Sequence, residues 1–329
     1  MSTETAEPST SAAESRGVSM EFGGRARLAV VLVPFWLYLL ARWTYDWILV
    51  PGTNVSGRES FFPSEPLVAA GESLRTAAVP APLDGLLSWL AGGMDFLAFG
   101  VEALPQLASG AWLTVVLTVV SMLAGLVLAV PLSVARVYGG RGTRWTALSF
   151  TELIRGTPLL AQLFVLYFGL SLTRYVREIP GVGTGWIPGT AVMVALLGFT
   201  INSAAYQSEY IRSALQSVDA GQLTAARSIG LSKLGGIRHV VLPQGLRFAI
   251  PGWSNELVYL IKYSSLASFI TVGELFFYAR SIGGDSYRYI EVYSLAGLFY
   301  LAMVLSASLL MGIVEERTSI PGLGGGRAR

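Results

Sequence analysis

Few residues in this chain could carry chemistry. There is no cysteine, one histidine (His239) and only two lysines, Lys233 and Lys262. Without cysteine there are no disulfides, thiol nucleophiles or thiolate metal sites. A lone histidine offers no His-rich metal centre and no plausible catalytic triad, so no metal ligands are assigned. Neither lysine follows a G-x-x-x-x-G run, so no P-loop is recognisable, and neither G-x-S-x-G nor H-E-x-x-H occurs. An enzyme of the usual hydrolase classes is not expected. The unusual charge is Lys262, near the middle of an apolar run from Pro251 to about Val272. Asn255, Tyr259, Lys262 and Ser265 recur at spacings of four and three and so share one helix face. A charge at bilayer depth costs roughly 2.5–3.5 kcal/mol on insertion scales and therefore turns to a polar interior. Two roles fit this face: the lining of a polar path, or a structural cation paired inside a helix bundle.

A second polar stretch runs from Ala205 to Arg247, set between apolar runs. Its charges, Glu209, Arg212, Asp219, Arg227, Lys233, Arg238 and Arg247, are mostly basic, which places it on the cytoplasmic side. Asp219 can cap a helix, with Gln222 completing a capping box. Leu223, Ala226 and Ile229 then fall on one face. Gly230 stops that helix through a left-handed residue. Ser232 can cap a second helix carrying Leu234, Ile237, Val240 and Val241, ended by Pro243. The expectation is two short helices bent at a glycine, with an apolar face outside the membrane. Glu209 and Arg212, one helical step apart, read as a surface ion pair, and His239 as a surface histidine.

The elements that must hold these residues are membrane helices. Of 329 residues, 53% are hydrophobic and 13% charged, about half the charged share of a soluble domain. Several apolar runs reach the ~20 residues needed to cross a bilayer. Residues 1–27 read as a disordered cytoplasmic tail, and 28–50 as a first spanning helix with tryptophans at the interfaces. Residues 51–106 form an extracytoplasmic linker rich in proline. Its part from Leu83 to Gln106 is read as an interfacial amphipathic helix rather than a span, because a span would put every later basic loop outside. Residues 107–314 are the main transmembrane domain, including the cytoplasmic loop 207–247, and 315–329 a cytoplasmic tail. Within it, Thr114, Thr118, Ser121 and Gly125 make a small-residue stripe for close packing. Arg155 and Gly156 end a short inner-surface helix. Thr157 then caps the next one, with Pro158 at its first position. Residues 173–187 and 273–289 are expected as outer loops. The fold class is all-α, with about six spans and both termini in the cytoplasm.

Several of these strings resemble a known family. Gly221-Gln222, Ala225-Ala226, Gly230 and Leu242-Pro243 are similar to the "EAA loop" of ABC importer permeases, with Thr224 standing at the namesake glutamate. Ala204-Ala205-Tyr206, Glu209 and Ile211-Arg212 narrow the resemblance to the polar amino-acid uptake branch, as do Glu152 and Arg155-Gly156-Thr157-Pro158-Leu159-Leu160. Asn255, Lys262, Ser264-Ser265-Leu266 and Glu274-Leu275 resemble its translocation helix, with Tyr263 where aspartate is common. The resemblance runs from about Asp95 to Arg317. It implies a five-span core with the 28–50 span added. It also implies that Asp219, Gly221, Gln222, Leu223, Thr224, Ala225, Ala226, Gly230, Leu242 and Pro243 form a loop that docks a separate ATP-binding subunit. ATP would bind there, and no cofactor on this chain. The further partners implied are a second permease subunit, identical or related, an extracytoplasmic solute-binding protein and the lipid bilayer; nucleic acid is not among them. Two other classes stay open on the residues alone. An ion-coupled secondary carrier could use Lys262 for charge coupling, and a non-transporting scaffold could use residues 51–105 as its binding part.

Overall fold

Backbone N–H and C=O groups in lipid must be satisfied within the protein, and a helix does this inside a single long apolar run. The computed structural model describes residues 10–50, 55–77, 80–184 and 187–318, and among these no strand occurs. The expected tail segments 1–9 and 319–329, and residues 51–54 of the linker, lie outside the described residues.

Helix α1 (Thr10–Thr44) continues through a π-turn at Tyr45–Leu49. Residues 10–27, expected to be unstructured, form its first turns, because extending a nucleated helix is far easier than starting one. Trp36 of α1 donates to Ser306 Oγ (2.8 Å), and Trp43 packs on Trp112 with centroids 5.2 Å apart, so this span is docked on the rest of the bundle. Helix α2 (Glu65–Thr76) lies along the first half of α3 (Ala81–Tyr138).

Helix α3 corrects the reading of residues 83–106. There is no boundary near Gln106: that segment and the second span are one helix of 58 residues. At ~1.5 Å per residue it is roughly 87 Å long, against ~30 Å of hydrocarbon, so it projects well beyond one face. The polar residues that seemed to interrupt it have partners. Asp95 pairs with Arg75, and Glu102 accepts from Ser64 (2.9 Å), both contacts to α2 or its cap. Gly71 lets α2 approach, since a Cβ there would sit 3.0 Å from Asp95 Oδ1.

Helices α4 (Arg141–Arg155), α5 (Leu159–Phe164, extended by a π-turn to Gly169) and α6 (Leu172–Arg177) follow, then α7 (Thr190–Ser217). The loop helices α8 (Ala220–Ser228), α9 (Lys233–Gly236) and α10 (Leu242–Phe248) lead into α11 (Ile250–Tyr263) and a 3₁₀ turn to Ile270. The expected outer loop 273–289 is largely helical, α12 (Leu275–Ser286), packed on α3 and α13 (Tyr289–Thr318).

Among the described residues, three helices are long and apolar enough to cross a membrane: Arg27–Leu49, Leu83–Tyr138 and Tyr289–Thr318. The bent pair Ile250–Ile270 and Leu275–Ser286, at 54°, makes up to a fourth. The expected third span is short, Leu159–Gly169. The expected fourth, α7, is too polar to qualify alone. Its Asn202, Ser203, Gln207 and Ser208 are buried against neighbouring helices, so its polar side faces the bundle interior. The Thr114/Thr118/Ser121 stripe is buried as expected, and Gly125 brings α3 onto α7, where a Cβ would lie 3.1 Å from Ala204 N.

Candidate functional site

Three groups of residues single themselves out, two of them at the end of the bundle that carries the α8–α10 loop. In the loop, Asp219 caps α8 by accepting from Gly221 N–H (2.7 Å). Gln222 contributes its backbone N–H to Asp219 O (3.0 Å), and no side-chain capping box forms among the described residues. Gly230 has φ +95°, the left-handed stop that the sequence implied. Ser232 caps the next helix through Gly235 N–H (3.1 Å).

Two details differ from expectation. Ile229 leaves the face of Leu223 and Ala226, because α8 ends at Ser228; it is 80% exposed. With Leu234, 70% exposed, it makes an apolar tip on either side of Gly230. Pro243 also does not end the second helix. A π-turn at Ile237–Val241 widens the backbone just before it, so the proline sits in the first turn of α10, where its missing N–H is no loss. The helix therefore runs on into α11 through Ala249.

The loop is fixed to the bundle at several points. Ala226, Ile237 and Val241 are buried. Gly236 meets Leu223, and Gly245 meets Leu215, each at 2.8 Å from an added Cβ. Lys233 Nζ donates to Tyr138 O (2.8 Å) at the C-terminal end of α3, where the helix dipole favours a cation. The exposed members of the candidate set are Asp219, Gly221, Gln222, Thr224, Ala225, Gly230 and Pro243; Leu223 and Leu242 are half-buried.

Behind the loop lies an ion cluster that the sequence reading reduced to one surface pair. Glu209 of α7 meets three arginines: Arg136 of α3 at 2.5 Å, Arg155 of α4 at 3.6 Å, and Arg212 one turn on. Glu152 extends it toward Arg155 (3.7 Å) and Arg136 (3.9 Å). Glu209 lies beyond the expected span of α7. Hydrogen bonding from Arg212, with the charge of Arg136, holds its carboxyl below the usual carboxylate range despite partial burial.

The helix break at Arg155-Gly156-Thr157-Pro158 is present, with a different cap. Pro158 itself is the residue before α5, and Thr157 Oγ1 turns back to Leu153 O (2.9 Å). Gln162, which sequence reasoning passed over, closes the break. Its amide donates to Ile154 O (2.7 Å), Thr157 O (3.0 Å) and Thr157 Oγ1 (2.9 Å), and its oxygen accepts from Asn202 (3.1 Å). It thus satisfies carbonyls that a helix end leaves open.

The third group is the α11 face. Asn255, Tyr259 and Lys262 are exposed and Ser265 is half-buried, so the four do share one side. Lys262 Nζ lies 4.9 Å over the Tyr259 ring, which stacks on Tyr263. Among the described residues no carboxylate lies within ion-pair distance of Lys262. The buried acids are elsewhere. Glu256, next to Asn255 in sequence, points into the bundle toward Ser203. Glu274 is fully buried and accepts from Phe276 N–H (2.9 Å), Phe277 N–H (2.8 Å) and Tyr300 OH (2.9 Å), capping α12. The 256/260/264 spacing of Glu256, Leu260 and Ser264 marks the inward stripe and could have revealed Glu256.

A family model, "Binding-protein-dependent transport system inner membrane component", matches residues 121–320. The probable amino-acid ABC transporter permease protein YckA of Bacillus subtilis (strain 168) is 41% identical over 217 residues, 66% of this chain and 91% of that protein. The glutamine transport system permease protein GlnP of Escherichia coli (strain K12) is 34% identical over 218 residues, 66% and 95% of the two chains. Among solved structures, an amino acid ABC transporter crystallised with histidines matches with a TM-score of 0.58 at 33% identity, covering 68% of this chain and 98% of that one. On these matches the chain belongs to the family of binding-protein-dependent transport system inner membrane components, the permease subunits of ABC importers.

Proposed function

We propose that this chain forms the membrane path of an importer for a polar amino acid, driven by an ATPase that seats on the Asp219–Pro243 loop. The carrying observation is the exposed Ile229/Leu234 tip on a loop whose base is locked to α3, α7 and α11. A partner gripping that tip moves whole spans. A flexible loop would absorb the motion instead. ATP is handled by the partner, and this chain binds no cofactor of its own. Family membership removes the ion-coupled carrier as a reading, and the chain is a transport subunit and not an enzyme. The substrate class follows the printed names of its relatives, which include amino-acid, glutamine and cystine permeases.

The orientation follows from charge. Arg136, Arg141, Arg144, Arg155, Arg227, Lys233, Arg238 and Arg247 gather at the loop end, which supports a cytoplasmic position for that end. Six spans and cytoplasmic termini are then the reading for the whole chain. The exposed Asn255/Tyr259/Lys262/Ser265 face is turned toward the path between two permease subunits, since one bundle leaves that polar face uncovered. The test is reconstitution with the ATPase and binding protein in vesicles, following uptake of labelled amino acids. Uptake should need ATP inside and survive an uncoupler; uptake that collapses with the uncoupler and ignores ATP would overturn the reading.

A further inference from the structure

At the end of the bundle opposite the loop, α1 and the core enclose a cavity of about 430 Å³. Its walls include Trp43, Trp47, Trp112 and Tyr278, with Arg42 and Arg58 among its polar lining. The charges there do not balance. Asp46 faces two guanidinium groups. Arg42 holds it through Nε (3.0 Å) and Nη2 (2.9 Å), and Arg58 Nη1 reaches it at 2.9 Å. One carboxylate against two cations leaves one positive charge over.

The two arginines are used differently. Arg42 is 2% exposed; its Nη1 also donates to Glu59 O (2.5 Å) and its guanidinium lies 4.8 Å over the Phe61 ring, so it is committed to the fold. Arg58 has a side chain 10% exposed; its Nη1 also donates to Ser109 Oγ (2.5 Å), while its Nε is buried and has no acceptor among the described residues. A buried guanidinium N–H without an acceptor is costly, and more so beside an excess positive charge. An anion oxygen placed in the cavity would answer both at once. The indole walls suit an apolar body joined to that anion, and tryptophans of this kind gather at the level of lipid headgroups.

We propose that this cavity binds the phosphodiester of an anionic amphiphile, its phosphate oxygen accepting from Arg58 and its apolar part lying on Trp43, Trp47 and Trp112. One negative charge on a phosphodiester matches the one excess positive charge. The source is either a phospholipid of the outer leaflet or a free phosphate ester. The site would tie the added first span to the core, beyond the transport reading. It rests on that reading only for the choice of leaflet, and binding is read by mass and not by uptake, so either can fail without the other.

The experiment is native mass spectrometry of the complete complex, released from detergent supplemented with phosphatidylglycerol or phosphatidylcholine. One phosphatidylglycerol per chain should be retained in preference to phosphatidylcholine. Arg58→Gln should weaken retention by about tenfold or more, the scale of one charge-assisted hydrogen bond. Arg174→Gln, the same charge change at an exposed site, should change it by no more than about twofold. Should Arg58→Gln fail to assemble, Val55→Trp decides, since it fills the cavity from its rim and leaves both arginines in place; it too should lose the lipid. Displacement by glycerophosphoglycerol, the same phosphodiester without acyl chains, would name a free ester as the source, and its failure to compete would name the lipid. Equal retention of the two lipids by the wild type, or unchanged phosphatidylglycerol affinity in an assembled Arg58→Gln or Val55→Trp complex, overturns the proposal.

Discussion

Glu209→Gln is the substitution that tests most sharply how the loop is held. Glutamine keeps the shape of the side chain and removes its charge. Three arginines then face one another without their shared anion. Arg136 is the most constrained, with a side chain 10% exposed and a contact of 2.5 Å; losing a charge-assisted bond of that kind costs about 1.5–3 kcal/mol. Arg212 is one turn away on the same helix and a quarter exposed, so its share is nearer ~0.5 kcal/mol. Arg155, at 3.6 Å and a third exposed, adds no more than ~1 kcal/mol. The expected loss is therefore about 2–4 kcal/mol, read as a lower melting temperature of the purified chain in detergent. The pH dependence has a definite sign. The Glu209 carboxyl is held below its ordinary value of 4.5, so its stabilisation is full above that value and fades as the pH falls through the lower, folded-state value. The gap between wild type and Glu209→Gln should accordingly be complete at neutral pH and narrow in acid. A variant that melts with the wild type at neutral pH, or a gap that persists unchanged in strong acid, would refute the cluster as the tie between α3, α4 and α7.

Two further substitutions probe the same framework. Gly252→Ala would place a Cβ 2.7 Å from Tyr210 Cγ and 2.9 Å from its Cβ, atoms near the backbone that cannot swing aside. Overpacking of about 1–3 kcal/mol should result, with reduced uptake at normal membrane expression; wild-type melting would show that α11 and α7 are not in this contact. Gln162→Leu removes the amide that bonds the α4 carbonyl of Ile154 and accepts from Asn202. Stranding these groups should cost about 1–3 kcal/mol, and a melt within error of the wild type would show that water replaces the amide.

The loop was legible because its signals are local. Asp219, Gly230 and Ser232 act through their own backbone neighbours, and each does what its residue type suggests. Pro243 misled because its usual effect assumes an α-helical register, and a π-turn upstream had changed the register. Residues 83–106 misled for a different reason. Asp95 and Glu102 look like interruptions until α2 supplies Arg75 and Ser64, partners 20 and 38 residues away. The Glu209 cluster likewise draws on α3 and α4, 73 and 54 residues upstream. No periodicity within α7 could have disclosed it. Lys262 and its face were visible as a spacing, whereas Glu256 was hidden by standing beside the more conspicuous Asn255.

On the proposed function, the tip around Gly230 receives the ATPase. The most direct test is affinity purification of the tagged chain in mild detergent, comparing wild type with an Ile229→Asp, Leu234→Asp double variant. Both side chains are exposed, so the bundle itself should melt as before. A P-loop ATPase should be recovered in stoichiometric amount with the wild type and be lost from the variant. An ATPase retained by the variant at the wild-type level would contradict this docking site.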